Sequence, residues 1–141
     1  MLPERIISHL NLVPHIEGGY FREVWTAPAE RGERPIGSLI YYMLTHGDVS
    51  HWHKHDASET WLFHAGAPMA LSVADSEHGP VDRTTLGTGF HLGHKPSLTV
   101  PQGSWQSART TGDWSLVSCL VAPAFRYEGF TVAPKDFPIP S

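Results

Sequence analysis

Gly47-Asp48-Val49-Ser50-His51-Trp52-His53-Lys54-His55-Asp56-Ala57-Ser58-Glu59-Thr60-Trp61-Leu62-Phe63-His64-Ala65-Gly66 is the chemically densest stretch of the chain. His51, His53 and His55 alternate, so on a strand they share one face. After the short turn at Asp56-Ala57-Ser58 comes Glu59, and Trp61 and Phe63 continue an alternation on its side. The stretch therefore reads as two strands joined by a turn. An alternating histidine run is also compatible with a plain polar strand face. Two imidazoles and a carboxylate brought together, however, make a donor set suited to Zn, Mn, Fe, Ni or Cu.

On either side of this hairpin, runs rich in β-branched and aromatic residues are bounded by Gly, Pro, Asp and Ser, as strands separated by turns are. They cover 20–26, 36–45, 49–54, 60–65, 69–74, 98–100, 104–108, 114–121 and 130–133. One helix is expected, from Pro3 to about Leu10. Leu2, Ile6 and Leu10 recur at every fourth position, Pro3 suits a first turn, and Asn11 and Pro14 end it. So many strands with so little helix predict an all-β sandwich or closed barrel, architectures that manage exposed sheet edges. A jelly roll with a short N-terminal helix is the expected form. No repeat or shift of composition divides the chain. It reads as a single domain over 1–141, with 1–14 as helix and lead-in and the proline-rich 134–141 as an irregular tail.

Composition narrows the partners. The formal charge is -4 and the Lys and Arg residues are scattered, which argues against nucleic acid. No apolar run approaches the ~20 residues that span a bilayer, and the N-terminus lacks the pattern of a secretory signal. The single Cys119 forms no internal disulfide. The expectation is a cytoplasmic protein with a small-molecule partner. No Gly-x-Ser-x-Gly elbow, phosphate loop or dinucleotide fingerprint is present, so no organic cofactor is expected.

Gly47, His53, His55, Glu59 and Gly66 occupy every fixed position of the first cupin motif, G-x5-H-x-H-x3-E-x6-G. The second motif, G-x5-P-x-G-x2-H-x3-N, is met in part. Pro101 and Gly103 match, Gln106 stands at the third histidine, Arg109 or Thr110 at the terminal Asn, and Gly93 is the nearest upstream glycine. The chain also resembles the cupin branch marked by a P-H-P-E-G-G-Y-[FY]-R-E box, which reads here Pro14-His15-Ile16-Glu17-Gly18-Gly19-Tyr20-Phe21-Arg22-Glu23. Ser50-His51-Trp52-His53, Glu59-Thr60-Trp61, Val100-Pro101-Gln102-Gly103-Ser104-Trp105-Gln106 and Leu116 to Phe125 extend the match over nearly the whole chain. Ile16 replaces the usual Pro, and His55 stands where this branch often has an apolar residue.

The resemblance implies a double-stranded β-helix, an interior pocket and a homodimer, but it supplies no reaction. The motif spacing makes His53, His55 and Glu59 candidate ligands of a divalent metal ion, with Gln106 as an optional fourth, its carboxamide being a poorer donor than imidazole. Candidate substrate-binding residues are Glu17, Tyr20 and Arg22 at the barrel mouth, with Arg22 as an anion clamp, and Trp61 and Phe63 as an aromatic wall. Equally, the box reads as a Gly-Gly turn entering the first strand, and the two aromatics as plain barrel core. His64, on the face opposite Glu59, is expected to make a structural hydrogen bond. Three functions stay open. A metal enzyme of oxygenase, isomerase or lyase type is the first. A metal-free enzyme similar to the sugar-nucleotide epimerases, with His53 or His55 as base and Tyr41 or Tyr42 as acid, is the second. A non-catalytic ligand-binding module is the third.

Overall fold

A computed structural model describes residues 1–140. One helix and eleven strands run in the order α1 (Pro3–His9), β1 (Val13–Pro14), β2 (Tyr20–Thr26), β3 (Ser38–Thr45), β4 (Ser50–His55), β5 (Ser58–Gly66), β6 (Met69–Ala74), β7 (Val81–Leu86), β8 (Ser97–Val100), β9 (Trp105–Thr110), β10 (Trp114–Ala122) and β11 (Phe130–Val132). They form two antiparallel sheets of order β1-β2-β3-β10-β5-β8 and β11-β4-β9-β6-β7. This is the jelly roll expected from the pattern.

The strand boundaries follow the β-branched and aromatic runs to within a few residues. Patterning alone missed β7, whose Asp82-Arg83-Thr84-Thr85 is polar on both faces; it closes the free edge of the second sheet against β6. The core fills the space between the sheets. Tyr42, Leu44, Trp61, Val117 and Cys119 come from the first sheet, and Met69, Leu71, Leu86 and Ala108 from the second. A second cluster lies outside the first sheet, where Ile6 and Leu12 cover Met43. A seven-residue helix is too short to be stable alone. Burying Ile6, worth about 2 kcal/mol, helps to dock it on the sheet, while Leu2 stays exposed and Leu10 half-buried.

The hairpin β4–β5 departs from regular alternation. The pairing of β4 with β9 is irregular between Ser50 and His53. His53 and His55 consequently point into the barrel, whereas His51 is exposed. The shared face expected for all three histidines holds only for the last two. At the N-terminal side, Gly18 and Gly19 have φ of 114° and 77°, in the region that favours glycine. A Cβ at Gly18 would collide with the Val49 carbonyl, so the Glu17-Gly18-Gly19 turn is pressed directly against the start of β4.

The tail beyond β11 has no regular strand but is packed. The Phe137 ring lies 4.7 Å from that of Trp105 and 5.9 Å from that of Trp52. Trp52 Nε1 donates to the Pro140 carbonyl at 3.0 Å. Among the described residues, no helix is long and apolar enough to cross a membrane.

Candidate metal centre

The turn between β4 and β5 brings His53, His55 and Glu59 together inside the barrel. One donor atom from each lies within 4.8 Å of the others, and all three residues are buried. His55 Nε2 is 3.2 Å and His53 Nε2 3.9 Å from Glu59 Oε1. That oxygen is buried without a donor aligned for a hydrogen bond. Leaving a buried carboxylate oxygen unpaired is costly. Two imidazole nitrogens and a buried carboxylate oxygen this close together fit a divalent cation.

The other ring nitrogen of His53 shows how the imidazole is held. Nδ1 lies 2.7 Å from the His51 carbonyl and 2.6 Å from Glu17 Oε2. Both neighbours are acceptors, so Nδ1 carries a proton and Nε2 is the atom presented to the cluster. A carboxylate behind a ligating histidine fixes its tautomer and raises its basicity. Burial by itself would push the His53 pKa down. The Glu17 charge and its close contact with Nδ1, joined by the Glu59 carboxylate on the Nε2 side, outweigh it and raise the pKa to about 10. Burial would likewise raise the Glu59 pKa, yet the two histidines hold it well below the usual carboxylate range. In the metal-free chain, a proton on His53 therefore stands between two buried carboxylates.

Glu17 is thus not the mouth residue that the sequence suggested. It is buried, and it bridges His53 to His15, whose Nε2 is 3.4 Å from Glu17 Oε1. The Glu17 backbone N–H donates to His15 Nδ1 at 3.1 Å. Burial holds the His15 pKa below its usual value against the pull of Glu17.

A cavity of about 470 Å³ opens over the cluster, of ordinary size for a small-molecule site. His55, Glu59, Glu17 and Cys119 lie at its base, with walls from Phe21, Ile40, Val121, Phe125 and Phe130. Phe125 and Phe130 have no part in either cupin motif; the sequence placed Phe130 at the start of a strand, and nothing in it brought that strand to the histidines. The ring of Phe130 lies 5.2 Å from that of His55, because β11 pairs with β4 along His53 and His55.

This wall is clasped to the β4–β5 hairpin through Asp56, in the turn between His55 and Glu59. Arg34 Nη2 and Nη1 donate to its two carboxylate oxygens at 2.7 and 3.2 Å, and Arg126 donates to Oδ2 through Nε at 2.9 Å and Nη2 at 2.7 Å. The Arg34 hydrogen bonds, with those of Arg126, hold the Asp56 carboxyl below its usual pKa. Sequence patterning gave no sign of this cluster, since the three residues lie in separate loops.

Several expected site residues lie elsewhere. Tyr20 packs in the cluster under α1, and Arg22 is exposed, with Nη1 facing the Leu10 carbonyl at 3.4 Å. They share a face of β2, as alternation requires, but it is the outer face; Phe21 points into the cavity. Trp61 and Phe63 belong to the core between the sheets. Trp61 Nε1 donates to Gln106 Oε1 at 2.6 Å. Gln106 sits opposite His53 in the β4–β9 register, buried beside the cluster, with its carboxamide oxygen engaged by that indole. Tyr42 is buried and donates to the Gly18 carbonyl at 2.5 Å, while Tyr41 faces the helix side; neither lines the cavity. His64 pairs with Ser118 at 2.5 Å across the outer face, the structural role expected for it.

The Cupin superfamily (DUF985) family description matches residues 4–133. The chain belongs to this cupin family. Two solved structures resemble this cupin along almost its whole length. A hypothetical protein from Leishmania major has 31% identity and a TM-score of 0.87, covering 97% of this chain and 90% of that one. A structural-genomics protein from Shewanella oneidensis has 32% identity and a TM-score of 0.90, covering 96% and 87%. Oxalate decarboxylase from Bacillus subtilis superposes with a TM-score of 0.65 at 16% identity, covering 87% of this chain and 32% of that one, which shows a shared fold alone. No curated protein sequence matches this cupin.

Proposed function

We propose that this cupin is a metal-dependent protein acting on a small molecule. His53, His55 and Glu59 would hold a divalent cation at the base of the cavity. The observation that carries this reading is the convergence of the Nε2 atoms of two histidines on the buried Glu59 Oε1, which has no aligned hydrogen-bond donor. Charge supports it as well, since a dication balances the buried carboxylates of Glu17 and Glu59. When bound, such an ion would act as a Lewis acid towards a carbonyl or enolate, or activate water.

The chain's own residues have separable tasks. Glu17 and the His51 carbonyl orient His53. Phe125 and Phe130 screen the cluster from solvent at the His55 side. His15 lines the cavity as a neutral imidazole, within reach of a bound molecule and linked to the cluster through Glu17. The metal-free epimerase reading has less support, because neither Tyr41 nor Tyr42 lines the cavity.

Elemental analysis of untagged protein purified without chelator, beside a His53→Ala/Glu59→Ala variant, tests the proposal. About one metal per chain, lost in the variant, is expected. A wild-type chain that stays empty when metal is added refutes it.

A further inference from the structure

The cavity has walls of one character and charges of one sign. Phe21, Ile40, Val121, Phe125 and Phe130 give it apolar sides, and its acidic residues are Glu17, Glu23 and Glu59. No Lys or Arg is among its lining residues. The guanidiniums of Arg34 and Arg126 are bonded to Asp56, and Arg22 lies on the outer face of its strand. At the mouth, apolar surface is left open to solvent. Ile16 is 81% exposed, Tyr127 74% and Phe125 37%. Phe125 is nonetheless held in place, its backbone N–H donating to Ser38 Oγ at 3.0 Å and the preceding Ala124 carbonyl accepting from Arg34 Nε at 2.8 Å. A wall positioned before the ligand arrives loses little freedom on binding.

We propose that the molecule bound here joins an oxygen-donor head, which chelates the metal, to a flat apolar body lying against Phe125 and Phe130, and that it carries at most one negative charge. This deepens the metal reading above and rests on it. The head meets the cation at the base. A second negative charge has no cation to pair with and meets aromatic walls or the Glu23 carboxylate, an arrangement that desolvation and repulsion both oppose. The body covers the apolar surface exposed at the mouth, which gives the binding its hydrophobic component. Oxalate, the namesake of the fold-sharing decarboxylase, is a small dianion with no apolar body and suits this cavity poorly.

Three 2-oxo acids with the same chelating head separate these features: phenylpyruvate, pyruvate and 2-oxoglutarate. Each is titrated into the Co2+-loaded protein, followed by the visible spectrum of the cobalt and by calorimetry, with metal content measured beforehand. Phenylpyruvate is expected to bind about tenfold or more tightly than pyruvate, and 2-oxoglutarate no more tightly than pyruvate. Phe125→Ala is expected to bring phenylpyruvate towards the pyruvate value at unchanged metal content. A metal-loaded protein that prefers 2-oxoglutarate, or binds pyruvate as well as phenylpyruvate, overturns the proposal and leaves the metal reading standing. A chain that takes up no cobalt, or binds phenylpyruvate equally well without it, overturns both.

Discussion

Loading a divalent ion onto the metal-free protein must remove a proton from His53. The Nδ1 proton stays in place between Glu17 Oε2 at 2.6 Å and the His51 carbonyl at 2.7 Å, so the proton that leaves is the one on Nε2. With the His53 pKa at about 10, that proton is held about three pH units more tightly than at neutrality requires. At about 1.4 kcal/mol per unit, proton competition weakens metal binding at pH 7 by about 4 kcal/mol, or roughly a thousandfold, relative to alkaline solution. Apparent affinity should therefore rise close to tenfold per pH unit between pH 6.5 and 8.5. Calorimetric titration with Mn2+ in buffers of unlike ionisation enthalpy should give about one proton released per metal from His53 at pH 7. Replacing Glu17 with Gln keeps the shape and removes the charge that raises the His53 pKa. Its loss is expected to cost about 10–100-fold in affinity at high pH, the usual effect of a residue behind a ligand. The same loss relieves the proton competition, so the wild-type and Glu17→Gln curves should converge as the pH falls. Affinity independent of pH over this range, or parallel curves for the two proteins, would refute the reasoning.

Three further outcomes follow from the same geometry. In the metal-free protein, depressed Glu59 and Asp56 pKa values contribute stability that is complete above their ordinary values of 4.5 and 3.8 and is lost as acid protonates them. The raised His53 pKa contributes stability that is complete below 6.5 and is lost as the pH climbs through about 10. Thermal melts should fall away on both sides, and a melting temperature flat from pH 7 to pH 3 contradicts the buried network. Gly18→Ala forces a Cβ at φ 114° into the Val49 carbonyl and should cost about 2 kcal/mol or more in urea denaturation; a neutral result would mean that the turn is not pressed against β4. Asp56→Asn weakens both arginine contacts at a cost of about 1 kcal/mol, given their partial exposure. Hydrogen exchange should accelerate in residues 123–129 at unchanged metal stoichiometry, and unaltered exchange there argues against the clasp.

The fold was readable because it depends on local pattern. Alternating β-branched and aromatic runs bounded by turn residues place the strands, and Pro3 with Ile6 places the helix. The polar β7 escaped because an edge strand need not bury alternate residues. The cluster of His53, His55 and Glu59 was readable for a related reason. All three lie in one hairpin, so sequence spacing is almost spatial spacing, and only the irregularity that turns His51 outward was hidden.

What the sequence determined by itself was the jelly roll and the identity of three donors within seven residues of chain. Tertiary structure decided everything built from distant segments. It turned Glu17 from a mouth residue into the acceptor behind His53, because the Gly18-Gly19 turn packs on β4. It set Tyr20 and Arg22 on the outer face and Phe21 on the inner one, a choice that alternation poses and cannot make. It brought Phe125 and Phe130 over the cluster through the pairing of β11 with β4, and joined Arg34 and Arg126 at Asp56. Local sequence specifies period and turn. Which face is buried, and which remote side chain completes a charge pair, depends on the packing of sheets that the chain reaches only when folded.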